Sequence, residues 1–450
     1  MKKTTVGAAV LASSVLVMTG CSTDGTLLRD ATVNSMEKGS YNLAGSFKLT
    51  GNFDEVLKKE KALTDEQVGI LESVKEGISF EGVKGDTASS KLTMSLNNDK
   101  ALRDHKVWEG KDKASIEMIV DKQDIYVKSP IDKKYLKYAQ DMQLTETTNI
   151  DPELVKKFSE DVNNLSMKFA NRYIKGFDFK GSSVQNKGEE TVKLPNGEEL
   201  KATHLIIELD TKNLIELAYY IAKDATVNPE VRSFAIDLTT MATKFSDKAI
   251  EAKKTLLKDE EYRKNATDQV DLMIAAAKVG IADFEKENSP EKLVELAKTE
   301  GGLQNLKLKL DYWIDKDKLP VRSTVTLDVT MKDPKATAKD ATPITFGFIG
   351  DSYQWNFGKA TPFVVPSKND VVNFADLAKD KEAIKNFDEK GFFHKIIKEV
   401  QAQQEEMKAF EAEMEALEAK EKAAEAKDKA AEAKPKAPEA KPKAPETKTK

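Results

Sequence analysis

A single cysteine, Cys21, stands in a chain of 450 residues. No disulfide can form within such a chain, and no cysteine-based zinc site can be built. Histidine is nearly as scarce: His105, His204 and His394 are widely separated, and no pair has a metal-ligand spacing. Basic charge is not in excess, since 71 Lys and Arg stand against 76 Asp and Glu. A chain with no net positive field has little with which to hold nucleic acid. The patterns H-E-x-x-H, G-x-S-x-G, the P-loop, G-x-G-x-x-G and the calcium-loop spacing are also missing. The expectation is therefore a chain with no enzymatic activity, no cofactor and no metal. His204 falls on the polar side of its strand, His105 in a charged stretch beside Trp108, and Asp315 with Asp317 in a turn where Asp belongs.

What is present begins at the N-terminus. Lys2 and Lys3 precede an apolar run from Val6 to Met18, which ends in Thr19-Gly20-Cys21. The run is about thirteen residues, enough for a secretory signal and short of the roughly twenty that span a bilayer. Residues 1–20 read as a signal peptide that is removed. Met18-Thr19-Gly20-Cys21 resembles the lipobox of bacterial lipoproteins. That resemblance implies that Cys21 carries a thioether-linked diacylglycerol and becomes the new N-terminus, tying the protein to the extracytoplasmic face of the cell membrane. At about 0.8 kcal/mol per buried CH₂, two acyl chains hold stably where one holds marginally. The alternative is a free thiol after ordinary cleavage.

After a short linker to residue 26, the pattern is that of an α+β domain over 27–377. A helix over Leu27–Lys38 is followed by period-two runs, each a half-buried strand. Tyr41, Leu43, Phe47 and Leu49 form one; Leu92, Met94 and Leu96 another. Ile116, Met118 and Val120 pair with Ile125 and Val127 across a short turn. Phe177 and Phe179 read as a strand, as do Val192 with Leu194 and Leu205, Ile207 and Leu209 around Pro195-Asn196-Gly197. The clearest hairpin joins Leu306–Ile314 to Val321–Met331, its register set by which face is apolar. Phe346 and Phe348, then Tyr353, Trp355 and Phe357, read as a last pair of strands.

Thr64 and Gln67 form a capping box, and Asp151-Pro152 opens a second helix carrying Leu154, Phe158, Val162, Leu165, Phe169 and Tyr173. A helical block over about 211–300, broken near Pro229 and Pro290, reads as an insertion between strands, with a separate helical domain as the alternative. A C-terminal helix is expected over 378–420. Its apolar seam through Ile396, Ile397, Val400, Met407, Phe410, Met414 and Leu417 offers some capacity for self-association. From Gln401 onward the chain has 11 Lys, 12 acidic residues and no aromatic after Phe410, so residues 421–450 read as a disordered spacer.

The N-terminal helix, antiparallel meander, overlying helices and late hairpin together resemble the LolA/LolB and LppX/LprG class of lipoprotein-handling and lipid-carrying proteins. That class implies a curved, unclosed antiparallel sheet, or half-barrel, with helices on one face and an apolar cavity that takes acyl chains. No short motif carries binding residues across. From the residues themselves, Tyr312, Trp313, Tyr353, Trp355 and Phe357 are the candidate ligand-lining side chains, because such pockets are lined by apolar and aromatic groups. The same chemistry makes an ordinary core. The functional expectation is a membrane-anchored lipoprotein that binds or shelters a lipid or another lipoprotein's acyl chains. Its alternatives are a cell-envelope structural or assembly lipoprotein, and the solute-binding lipoprotein of a transporter.

Overall fold

The computed structural model describes residues 23–59, 63–85, 89–122, 124–139, 150–180, 184–250, 256–332, 343–378 and 382–432. The chain divides into two compact units, the first ending at His394 and the second beginning at Lys395.

The first unit is α+β, built on one twelve-stranded sheet in the order β12-β6-β5-β4-β3-β2-β1-β11-β10-β9-β8-β7. The strands are β1 (Tyr41–Thr50), β2 (Ile78–Lys84), β3 (Ser89–Leu96), β4 (Ser115–Asp121), β5 (Asp124–Lys128), β6 (Tyr135–Ala139), β7 (Val184–Lys193), β8 (Glu199–Asp210), β9 (Leu303–Asp315), β10 (Pro320–Met331), β11 (Ile344–Trp355) and β12 (Val371–Asn373). All neighbours are antiparallel except β12 and β6, which run parallel at one edge. The sheet is curved and does not close, with β7 and β12 at its rims. The rims are blunted as free edges must be: β12 is short, and β7 is bulged at Asn186–Gly188 and rich in exposed charge.

The helices are α1 (Thr23–Lys38), α2 (Phe53–Lys59), α3 (Asp65–Glu76), α4 (Lys100–Asp104), α5 (Pro152–Gly176), α6 (Thr211–Val227), α7 (Pro229–Ile250), α8 (Asp259–Glu287), α9 (Pro290–Thr299) and α10 (Phe392–Glu432). Their starts follow local chemistry. Thr64 Oγ1 accepts from the Gln67 amide at 3.3 Å while Gln67 Oε1 accepts from the Thr64 amide at 2.9 Å, closing the capping box of α3. The Asp151 carboxylate accepts from the Glu153 amide, with Pro152 at the first position of α5. Helices α6 to α9 all lie between β8 and β9, which pair directly, so the insertion grows out of a hairpin loop. It packs on α5: Phe158 and Phe169 of α5 stack on Phe245 and Phe234 of α7, each pair with ring centroids 4.4 Å apart.

The main core lies where α1, α5 and α6 cover one face of β8 and β9. Leu28, Ala31, Ile174 and Leu217 meet Leu205, Ile207, Leu209, Leu310, Tyr312 and Ile314 there. Burying each large apolar side chain contributes about 1.5–3 kcal/mol, so this end of the sheet is the firmest part of the unit. The hairpin register is the one its alternation demands, with Leu310 opposite Val325, Leu308 opposite Leu327 and Leu306 opposite Val329. A smaller core surrounds the fully buried Trp108, whose ring stacks on Phe392 at 4.7 Å.

Three expectations are corrected. Phe177 and Phe179 do not form a strand; they follow α5 as buried core residues. The two strands expected at Phe346 and Tyr353 are one, β11. Its apolar parity changes at Gly350, so Phe346 and Phe348 face the helices while Tyr353 and Trp355 face the other way, and the change of parity imitates a break. The helix expected over 378–420 is Phe392–Glu432, preceded by two short 3₁₀ turns, Phe374–Ala378 and Ala383–Asn386. Alanine, glutamate and lysine are good helix formers, and α10 continues through them past residue 420.

Candidate functional site

On the helix-bearing face the sheet is not evenly sealed. Leu205, Ile207 and Leu310 are at most 1% exposed, whereas β1, β2 and β3 are half-buried almost throughout. Phe346, near the start of β11, is 36% exposed. Across these central strands Phe47 lies between Phe80 and Phe348, with ring centroids 6.5 and 5.9 Å apart. Two glycines make room for the rings: Gly45 is opposite Phe80, and Gly350 is opposite Phe47. A Cβ on Gly45 would stand 2.6 Å from Phe80 Cζ and 2.1 Å from the Asp351 carbonyl oxygen. The ring therefore lies against bare backbone, a close approach that only glycine permits. The result is a half-buried stripe of phenylalanine and aliphatic side chains across the central strands of a curved sheet, whose Phe346 end packs on Phe53.

The five aromatic side chains singled out from the sequence do not gather at one place. Tyr312 is buried in the main core on the helix-bearing face, and its hydroxyl is pushed well above the usual phenol range by that burial. Trp313, the next residue along β9, points to the opposite face, as the period of two requires. There it joins Val192, Leu194, Ala202 and Val321, with Tyr353, Trp355 and Phe357 packed around them. Four of the five are thus together, on the side of the sheet away from the main core.

That opposite face carries a polar network which composition and spacing did not reveal. His204 on β8 is buried and bridges two carboxylates: its Nδ1 is 2.9 Å from Glu190 Oε1, and its Nε2 is 2.9 Å from Asp311 Oδ1. The imidazole stacks on Trp313, centroids 4.2 Å apart and 12° from parallel. Trp313 Nε1 donates to Glu190 Oε2 at 2.8 Å. Thr324 Oγ1 donates to Asp311 Oδ2 at 3.0 Å, and Lys309 Nζ lies 3.1 Å from the same oxygen. Hydrogen bonds from Trp313 and His204 hold the Glu190 carboxyl below its usual range. For Asp311, burial pushes upward, but hydrogen bonds from His204, Lys309 and Thr324 outweigh it and leave the carboxyl lowered. Arg322 completes the cluster, bidentate on Asp351 at 3.0 Å for both bonds, its guanidinium 4.5 Å from the Trp313 ring and 5.2 Å from that of Tyr353.

Chemically the network is closed rather than poised. Both nitrogens of His204 and both oxygens of Asp311 are engaged within the protein, and the Thr324 hydroxyl and Lys309 ammonium that join them are both held on Asp311 Oδ2. The sequence signal for it was faint: His204 shares a strand face with Ala202 and Ile206, and Asp311 lies 107 residues downstream. Only the pairing of β8 with β9 brings them together.

Two open clefts lie elsewhere. One, of about 360 Å³, is lined by Thr226, Val227, Arg232, Asp271, Ile274 and Lys278 among α6, α7 and α8. The other, of about 330 Å³, lies where the segment Gly358–Val365 passes Ser40, Val83 and Ser89. None of the five aromatic candidates lines either.

Cys21 and residues 1–20, expected to be a signal peptide, lie outside the described residues, as does the tail from residue 433. Among the described residues no helix is long and apolar enough to cross a membrane, and no group of acidic, histidine or cysteine side chains could hold a metal ion. No family model, curated protein or solved structure matches this chain significantly.

Proposed function

We propose that this protein is an extracytoplasmic lipoprotein, anchored by acyl chains on Cys21, that binds or shelters a hydrophobic ligand on the helix-bearing face of its sheet. It acts without catalysis, in the manner of the lipid-carrying class its pattern of elements resembles. The observation that carries the reading is the gradient of burial along that face. Residues beneath α1, α5 and α6 are sealed, while the apolar strands β1 to β3 are half-buried around Phe47, Phe80 and Phe348. An apolar surface of this kind is stabilised by whatever apolar area covers it.

Native mass spectrometry with organic extraction tests the reading on residues 22–450, purified without detergent from a lipid-containing host. Near-stoichiometric lipid is expected, reduced by Phe346→Glu, a change at a partly exposed position outside the main core that packs on Phe53. A clean apo mass, with no uptake of added lipid, would sink the carrier.

A second reading, an envelope assembly lipoprotein acting through protein contacts, is favoured by one specific feature. The insertion helix α8 exposes Leu272, Met273 and Val279 at 72%, 61% and 62%. Apolar side chains this open on one helix suit a protein interface.

A further inference from the structure

The second compact unit, from Lys395 onward, carries an apolar seam open to solvent. Met407, Phe410, Met414 and Leu417 are exposed by 62%, 64%, 46% and 49%. Their spacing alternates three and four residues, which places them on one stripe of α10, in line with Val400. Nothing in the unit's own sequence supplies a second apolar helix to cover it, because the chain beyond is alanine, charge and proline.

Charge beside the seam says what can cover it. Glu406 and Glu413, both exposed, stand one residue before Met407 and Met414, in one column flanking the stripe. In the sequence, Glu411 and Glu418 follow the same two methionines by four residues, the spacing of the other flanking column. Lys420 is the first basic residue in either column, beyond the last seam residue. In a parallel self-pair the two columns oppose each other, and in an antiparallel one each column opposes its own copy. Both arrangements set glutamate against glutamate, so self-association is disfavoured by the charges that fix partner choice in helical pairs. Anionic lipid is repelled by the same columns.

We infer that the seam of α10 is a docking surface for a partner protein's amphipathic helix whose flanking positions are basic. Methionine at two of the four anchors suits such a surface, since its unbranched side chain repacks against differing partners. This inference is independent of any ligand on the sheet.

The test uses the full chain carrying Cys21→Ser, so that no acyl anchor intervenes, and two designed amphipathic peptides. Both peptides present the same leucine seam, one with lysine and one with glutamate in the flanking columns. Sedimentation is expected to give a monomer. By fluorescence anisotropy the lysine peptide is expected to bind at least about tenfold tighter than the glutamate peptide, with the preference shrinking as salt rises. Phe410→Lys should abolish binding, and Glu406→Lys with Glu413→Lys should shift preference toward the glutamate peptide. The seam is exposed, so none of these changes threatens folding. A dimer dissolved by Phe410→Lys, equal affinity for the two peptides, or partition onto phosphatidylglycerol vesicles lost in Phe410→Lys would each overturn the inference.

Discussion

His204 and Asp311 meet across adjacent strands, Nε2 to Oδ1 at 2.9 Å, although 107 residues and four helices separate them in the chain. Asp311 is 4% exposed, and a buried carboxylate persists only where hydrogen bonds replace water. The contact therefore ties β8 to β9 on the face away from the main core, and it makes that pairing sensitive to acid.

The pH dependence follows from the direction of the shift. The Asp311 carboxyl is lowered in the folded protein, so it contributes stability above the unfolded carboxyl's pKa, about 3.9. That contribution is lost as pH falls through the lower, folded value. Urea midpoints measured from pH 6 down to pH 3 are expected to fall more steeply for the native chain than for Asp311→Asn. Equal slopes would show that the network does not couple to folding. His204→Ala is expected to cost about 3 kcal/mol at pH 7, because it strips a partner from a buried charge.

Gly45 is a tight point on the helix-bearing face of the sheet. A Cβ there meets the Asp351 carbonyl at 2.1 Å and the Ser352 Cα at 2.9 Å, both backbone atoms that cannot step aside. Gly45→Ala is expected to destabilise by about 2–3 kcal/mol through backbone displacement. Phe80→Leu in the same background relieves only the 2.6 Å ring contact, so it should recover a minor part of the loss. Full recovery in the double variant would mean the strands themselves are free to separate.

Much of this architecture was legible in the sequence, because its signals are local. The capping box at Thr64 and Gln67, Pro152 after Asp151, and the alternation through Leu306–Ile314 and Val321–Met331 each specify an element from a few neighbouring residues. The insertion's breaks at Pro229 and Pro290 were equally plain. What escaped depended on long-range pairing. β11 was divided in two because its apolar residues change face at Gly350. Tyr312 is parted from the other four aromatic candidates because Tyr312 and Trp313, adjacent in sequence, must point to opposite sides of a strand. His204 could not be seen as a bridging residue until Glu190 and Asp311 were set beside it by β7 and β9.

The turn between β4 and β5 offers a gain in stability. Lys122 sits in the left-handed region at φ 57°, where a Cβ is strained. Lys122→Gly removes that strain at the cost of greater freedom in the unfolded chain. The expected net effect is stabilisation by about 0.5–1 kcal/mol, seen as a higher urea midpoint with unchanged slope. A lower midpoint would mean that the lysine side chain makes a contribution larger than the backbone strain it imposes.

Arg322 supports the aromatic cluster in a way lysine cannot. Its planar guanidinium makes two bonds to Asp351 at 3.0 Å and lies against Trp313 and Tyr353 at 4.5 and 5.2 Å. An ammonium can keep the charge but neither the fork nor the flat stack. Arg322→Lys is therefore expected to cost about 1–2 kcal/mol, and to alter Trp313 emission because the face of its ring loses a covering group. Arg322→Met separates the contributions: it keeps some packing and discards the charge, leaving Asp351 without its bidentate partner. If packing on the rings dominates, Met should be the milder change; if the bidentate pair dominates, Lys should be. Equal stability of all three chains would show that the cluster is held by Val192, Leu194 and Val321 alone.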